Sequence, residues 1–171
     1  MRLRLVIFLL FVSLMPAQAA VVDTAFDRAI AQFERALPKL PSELFDVDVA
    51  TYRDALTLRN FSSRYWGETV QLKIREGSAD ASCNRFAAFV RYPPENGAMS
   101  LILCPQFSTE GADGLRSLTI LHELVHVVAG PDECRAMAFA AHIEQLATGT
   151  FTPVERYWQA NNCAGSGFKL P

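Results

Sequence analysis

The sequence predicts an α+β domain, and three patterns carry that expectation. TVQLKIR, residues 69–75, alternates apolar and polar side chains as a half-buried strand does. CNRFAAFVRY and AMSLILC flank the turn-forming PPENG and predict an antiparallel hairpin. LRSLTILHELVHVVA, residues 115–129, is apolar on nearly every side, which predicts a buried helix rather than a surface one. At 171 residues the chain has room for one ordinary domain.

Taken in order, MRLR supplies a basic start, LVIFLLFVSLM an apolar run too short for a membrane span, and PAQAA a small-residue cleavage site. Residues 1–19 are therefore expected to be a signal peptide cut after Ala19 or Ala20, with a single domain over 20–171 and no stable membrane insertion. DTAFDRAIAQFERAL, residues 23–37, puts Phe26, Ile30, Phe33 and Leu37 on one helical stripe, with Asp23 as N-cap and Pro38 beyond. Residues 39–68 are irregular and predict loops with a short strand near VDVATY. After the buried helix, Gly130-Pro131 is a break. Asp132 is placed to cap a second helix, ECRAMAFAAHIEQLA, which Gly149 ends. A last short helix is expected from Thr152-Pro153 through VERYWQAN.

Charge and cysteine content narrow the function. The whole chain carries 16 basic and 18 acidic residues; without Arg2 and Arg4 the balance is 14 against 18, a net of −4. That argues against nucleic acid or an anionic membrane surface as the main partner. Four cysteines behind a signal peptide read as two disulfides with three possible pairings. Cys83–Cys104 and Cys134–Cys163 are favoured, because each closes a loop of moderate length between expected neighbours.

The chemistry concentrates in TILHELVHVVAGPDECRAMAFAAH, which holds all three histidines. Helical positions four apart differ by about 40° in azimuth, so His122 and His126 present their rings from one face. Two imidazoles on one rigid helix are good zinc ligands at little cost in ordering entropy. Glu123, beside the first of them, can take a proton from a water that the metal acidifies and pass it to a leaving amine. Apart from Glu123, no charge interrupts the stretch from Leu118 to Gly130. A lone glutamate there is costly without a partner, and a metal explains it.

This H-E-x-x-H stretch resembles the active-site signature of zincin metallopeptidases over about thirty residues. The resemblance implies a minimal zincin-like domain: a small mixed or antiparallel sheet, the buried H-E-x-x-H helix, and a following helix that carries a ligand. It also implies an edge strand that binds substrate, for which SLILC, residues 100–104, is the candidate. The third ligand has two candidates. Snapalysin-like secreted zincins place an aspartate six residues after the second histidine, where Asp132 stands, although Ala129 replaces their glycine. Gluzincins use a glutamate on a second helix with an alanine three later, and Glu133 with Ala136 is similar, at a shorter spacing. ECRAMAFA also looks like the ExxAxxFA segment of small bacterial repressor-cleaving peptidases. Glu133 is preferred, with Asp132 then free to cap the helix.

Of the other residues, Glu144 and His142 are remoter ligand candidates, and His142 is expected to be a packing or surface residue. Tyr157 and Arg135 could stabilise an oxyanion, although packing is the plainer expectation for both. Tyr65, Trp66 and Trp158 are expected in the core or a groove wall. The combined expectation is an exported zinc-dependent metallopeptidase with His122, His126 and Glu133 on the metal, Glu123 as general base, and a peptide or protein as substrate. Two alternatives remain: a zincin-fold scaffold that binds metal without turnover, and a zinc amidase acting on cell-wall material.

Overall fold

A computed structural model describes residues 17–78 and 80–171; the expected signal peptide lies almost entirely outside them. The fold is α+β, with helices over one face of a small mixed sheet. The first helix, α1, spans Ala17–Ala36. It begins upstream of Asp23, which is therefore an interior helical residue and not the N-cap. Its buried stripe is Ala25, Phe26, Ala29, Phe33 and Ala36, with Ile30 and Leu37 packed at the margin.

The segment 39–68 is more ordered than the sequence suggested. A two-stranded hairpin, β1 (Glu43–Leu44) and β2 (Val47–Asp48), leads into helix α2 (Val49–Thr57). The expected strand at VDVATY thus ends after two residues, because Asp48 caps a helix: its carboxylate accepts the Thr51 N–H at 2.7 Å. Val49, Tyr52, Ala55 and Leu56 form the buried side of α2. Tyr52 donates its hydroxyl to the Leu121 carbonyl at 2.7 Å and stacks between Phe33 and Phe139, with ring centroids 5.1 and 4.7 Å apart.

The main sheet contains β3 (Asn60–Ser63), β4 (Glu68–Glu76), β5 (Ala88–Glu95) and β6 (Ala98–Leu103), in the order β3-β4-β6-β5. The β5–β6 hairpin turns through Asn96 and Gly97, both at positive φ, as a two-residue hairpin loop requires. That hairpin slots β6 beside β4 in parallel and leaves β5 outermost. SLILC is consequently an interior strand, and β5 is the sheet edge beside the helix that carries His122 and His126. One sheet face, with Val70, Leu72, Val90, Met99 and Leu101, joins the core under the helices. On the other, Ile102 packs on the Cys83–Cys104 disulfide.

The two long helices are α3 (Asp113–Ala129) and α4 (Glu133–Thr148). Ala136, Ala138, Ala140 and Ala141 are fully buried along α4, and small side chains let helices pack closely. Gly149 ends α4 in the left-handed region. The last helix, α5 (Glu155–Ala160), starts later than Thr152, because the Thr152 N–H and hydroxyl bind the buried Glu144 carboxylate instead. Both disulfides have the favoured pairing, Cys83–Cys104 and Cys134–Cys163. No helix among the described residues is long and apolar enough to cross a membrane.

Candidate metal centre

Helix α3 is buried because Leu118, Ile120, Leu121, Leu124, Val125, Val127 and Val128 surround its axis with apolar side chains. His122 and His126 share one side of it, both buried, with their Nε2 atoms 3.1 Å apart. His126 Nδ1 donates to the Gly130 carbonyl at 2.9 Å, so in the neutral ring the Nε2 lone pair faces His122, and only the protonated ring can also donate to Glu133. Among the described residues, His122 Nδ1 has no hydrogen-bond partner.

The reversal after α3 brings in the third member of the group. Gly130 adopts φ 85° and ψ −170°, and its N–H bonds to the His126 carbonyl at 3.2 Å. Pro131 follows, and Asp132 caps α4 by accepting the Arg135 N–H at 2.9 Å. Glu133 is then the first residue of α4, with its Oε2 3.1 Å from His122 Nε2 and 3.3 Å from His126 Nε2. Of the two candidates, the fold brings Glu133 to the histidines and gives Asp132 the capping role. The Cys134–Cys163 disulfide ties the next residue to the chain after α5. That positions Tyr157, whose hydroxyl donates to Glu133 Oε2 and lies 3.4 Å from His122 Nε2.

One ligand atom from each of His122, His126 and Glu133 lies within 4.8 Å of the others, so the group could hold a metal ion. Three electron-pair donors this close repel one another unless a proton or cation sits among them. Two imidazole nitrogens and one carboxylate oxygen, with a side left open, form the donor set of a catalytic tetrahedral metal site. The residues therefore fit a metal.

Electrostatics around the group are strongly biased. Burial pushes the Glu133 carboxyl upward, but hydrogen bonds from His122, His126 and Tyr157 outweigh it and hold the group well below the usual carboxylate range. Burial lowers His126, yet its hydrogen bond to Glu133 and the nearby carboxylate charges leave it raised. Glu123 is nearly enclosed, and burial raises it against the opposing pull of the two histidines. The Val90 N–H on β5 supports its carboxylate. Tyr157 is pushed up by burial and by donating to Glu133.

His122, Glu123 and Tyr157 open onto a cleft of about 500 Å³, walled in part by Phe86, Leu115 and Met137. The remaining candidates lie elsewhere. His142 packs edge-on against Phe45 at 5.3 Å, and burial lowers its pKa. Glu144 is held by Thr152. Arg135 donates to the Ala129 carbonyl at the end of α3 and lies over Phe168. Trp66 Nε1 donates to the Val127 carbonyl at 2.7 Å, so Trp66 braces the end of α3.

Sequence reasoning undervalued Tyr157, for which packing was the plainer expectation. The available signal was the cysteine spacing: Cys134 adjoins Glu133, and Cys163 lies six residues beyond Tyr157, so pairing them carries the tyrosine to the start of α4. Compared with protein-family models, curated proteins and solved structures, the chain matches none.

Proposed function

We propose that the chain is an exported zinc-dependent metallopeptidase. The observation that carries this reading is the convergence of His122, His126 and Glu133 on one point beside the buried Glu123, at the wall of an open cleft. Zinc bound there would polarise a carbonyl and make a water acidic enough to attack it near neutral pH. His122 and His126 hold their positions through one rigid helix, and the Gly130 carbonyl fixes the tautomer of His126. Glu123 takes the proton of the attacking water and returns it to the leaving amine. Tyr157 orients Glu133. An extended peptide has β5 as its natural partner, because β5 is the sheet edge beside α3. The two disulfides fit an exported chain.

The test compares the oxidised wild type with Glu123→Gln for zinc content and for cleavage of an unstructured protein. Purified peptidoglycan serves as a parallel substrate. The expected result is one zinc per chain in both proteins and proteolysis in the wild type only. Zinc without proteolysis in the wild type would leave a metal-binding scaffold, and release of peptidoglycan fragments alone would indicate an amidase. A wild type that takes up no zinc after reconstitution would refute the reading.

A further inference from the structure

We propose that the face of the main sheet turned away from the helices binds a phosphate group carried by a sugar or similar polyol. Lys73 on β4 pairs with Ser100 on β6, and Ser100 pairs with Arg91 on β5, so the three side chains form one row across three strands. Arg75, two residues beyond Lys73, projects from the same face. The alternate residues Leu72, Leu101 and Val90 point into the core on the other face.

Neighbouring strands are about 4.8 Å apart, which places the Lys73 and Arg91 backbones about 10 Å from each other. The short Ser100 between them leaves a groove of about 330 Å³ instead of a flat surface. Lys73, Arg75 and Arg91 are exposed, and none has a carboxylate within ion-pair distance among the described residues. This clustering opposes the net negative charge of the chain. Two guanidinium forks and an ammonium lining one groove beside a hydroxyl supply the donors that the oxygens of a single phosphate group take.

The other end of the groove selects what carries the phosphate. Glu95 pairs with Ala98, two residues along β6 from Ser100 and therefore about 7 Å away. Its carboxylate repels a long polyanion and accepts hydrogen bonds from hydroxyls. Asn96 adds a donor and an acceptor, and the half-exposed Tyr92 ring offers an apolar face of the kind that covers a sugar ring.

The test is calorimetric titration of the oxidised full chain, with and without chelator, using glucose 6-phosphate, glucose and polyphosphate. Phosphatidylcholine vesicles with and without phosphatidylinositol 4-phosphate test a membrane-borne source of the same chemistry. Glucose 6-phosphate should bind one to one, with glucose silent, and each of Lys73→Ala and Arg91→Ala should weaken binding roughly tenfold or more. Binding confined to the phosphoinositide vesicles, and weakened by the same variants, would make a lipid headgroup the source. Unchanged melting of the variants verifies their folding, since both side chains are exposed. The proposal is overturned by silence from both glucose 6-phosphate and the phosphoinositide vesicles, by variants that bind like wild type, or by loss of binding in chelator. Tighter binding of polyphosphate than of the sugar phosphate also overturns it, because that marks an unspecific basic face.

Discussion

Gly130→Ala isolates the turn that brings Glu133 to the histidines. Gly130 sits at φ 85° and ψ −170°, a region that is essentially closed to residues with a Cβ. Holding alanine there costs about 1–3 kcal/mol. A Cβ would also overlap the Cζ and Oη atoms of Tyr65 and lie 2.7 Å from its Cε1. These are the far atoms of a ring on a residue that is 53 % exposed, so the ring can swing aside. Backbone strain therefore dominates, and the total should be about 2–3 kcal/mol. For a domain of this size that lowers the melting temperature by roughly 5–10 °C.

Because Gly130 also supplies the carbonyl that orients His126, zinc affinity should fall together with stability. Thermal melts and competitive zinc titration of Gly130→Ala, Tyr65→Ala and the double variant read both effects. Full recovery of stability when Tyr65→Ala is added would refute the backbone argument and make the clash the source. A melting temperature unchanged in Gly130→Ala would refute both.

Glu133→Ala should abolish tight zinc binding, whereas Asp132→Ala should keep it and cost about 1 kcal/mol through the lost helix cap, as equilibrium dialysis and denaturant melts would show. Tyr157→Phe removes the hydroxyl that holds Glu133 Oε2 and should weaken zinc by about 10-fold or more with little change in melting of the metal-free protein. In the metal-free protein Glu123→Gln should be stabilising at neutral pH. The folded-state pKa of Glu123 is raised, so its ionisation destabilises the fold as pH climbs above the ordinary carboxylate value of 4.5. The gain should accordingly shrink as pH falls towards that value, and a gain constant with pH in urea melts would contradict the burial argument. Chelator added to zinc-loaded wild type should lower the melting temperature by an amount that grows with the free zinc concentration it removes, because only the folded chain assembles the group.

Much of the local structure was legible because it depends on neighbours in the chain. The apolar circumference of α3, the alternation of β4, and the Asn96-Gly97 turn each follow from side chains a few residues apart. The same holds for the His122–Glu123–His126 face, since helical geometry alone sets four-residue neighbours side by side. Helix α2 was equally local, with Asp48 capping Thr51 and a buried stripe from Val49 to Leu56, but short β-branched runs read ambiguously. The start of α1 was misjudged because a helix continuing upstream uses no cap at Asp23.

Other features had no local signature. Whether β6 or β5 forms the edge depends on which of the two hairpin strands pairs with β4, and the alternation of each strand is the same either way. The choice between Glu133 and Asp132 turned on a single reversal, where Gly130 takes a conformation that rotates one carboxylate into the histidine pair and the other onto a helix end. Tyr157 arrives through a disulfide rather than through chain proximity. The row of Lys73, Ser100 and Arg91 exists only because three strands distant in sequence pair in one register. The sequence by itself determined the helix with its two histidines and glutamate, and strands β4, β5 and β6, because those rest on periodicity. Tertiary structure alone decided what faces that helix, because burial of the apolar faces, and not the order of residues, selects the packing that assembles the rest of the site.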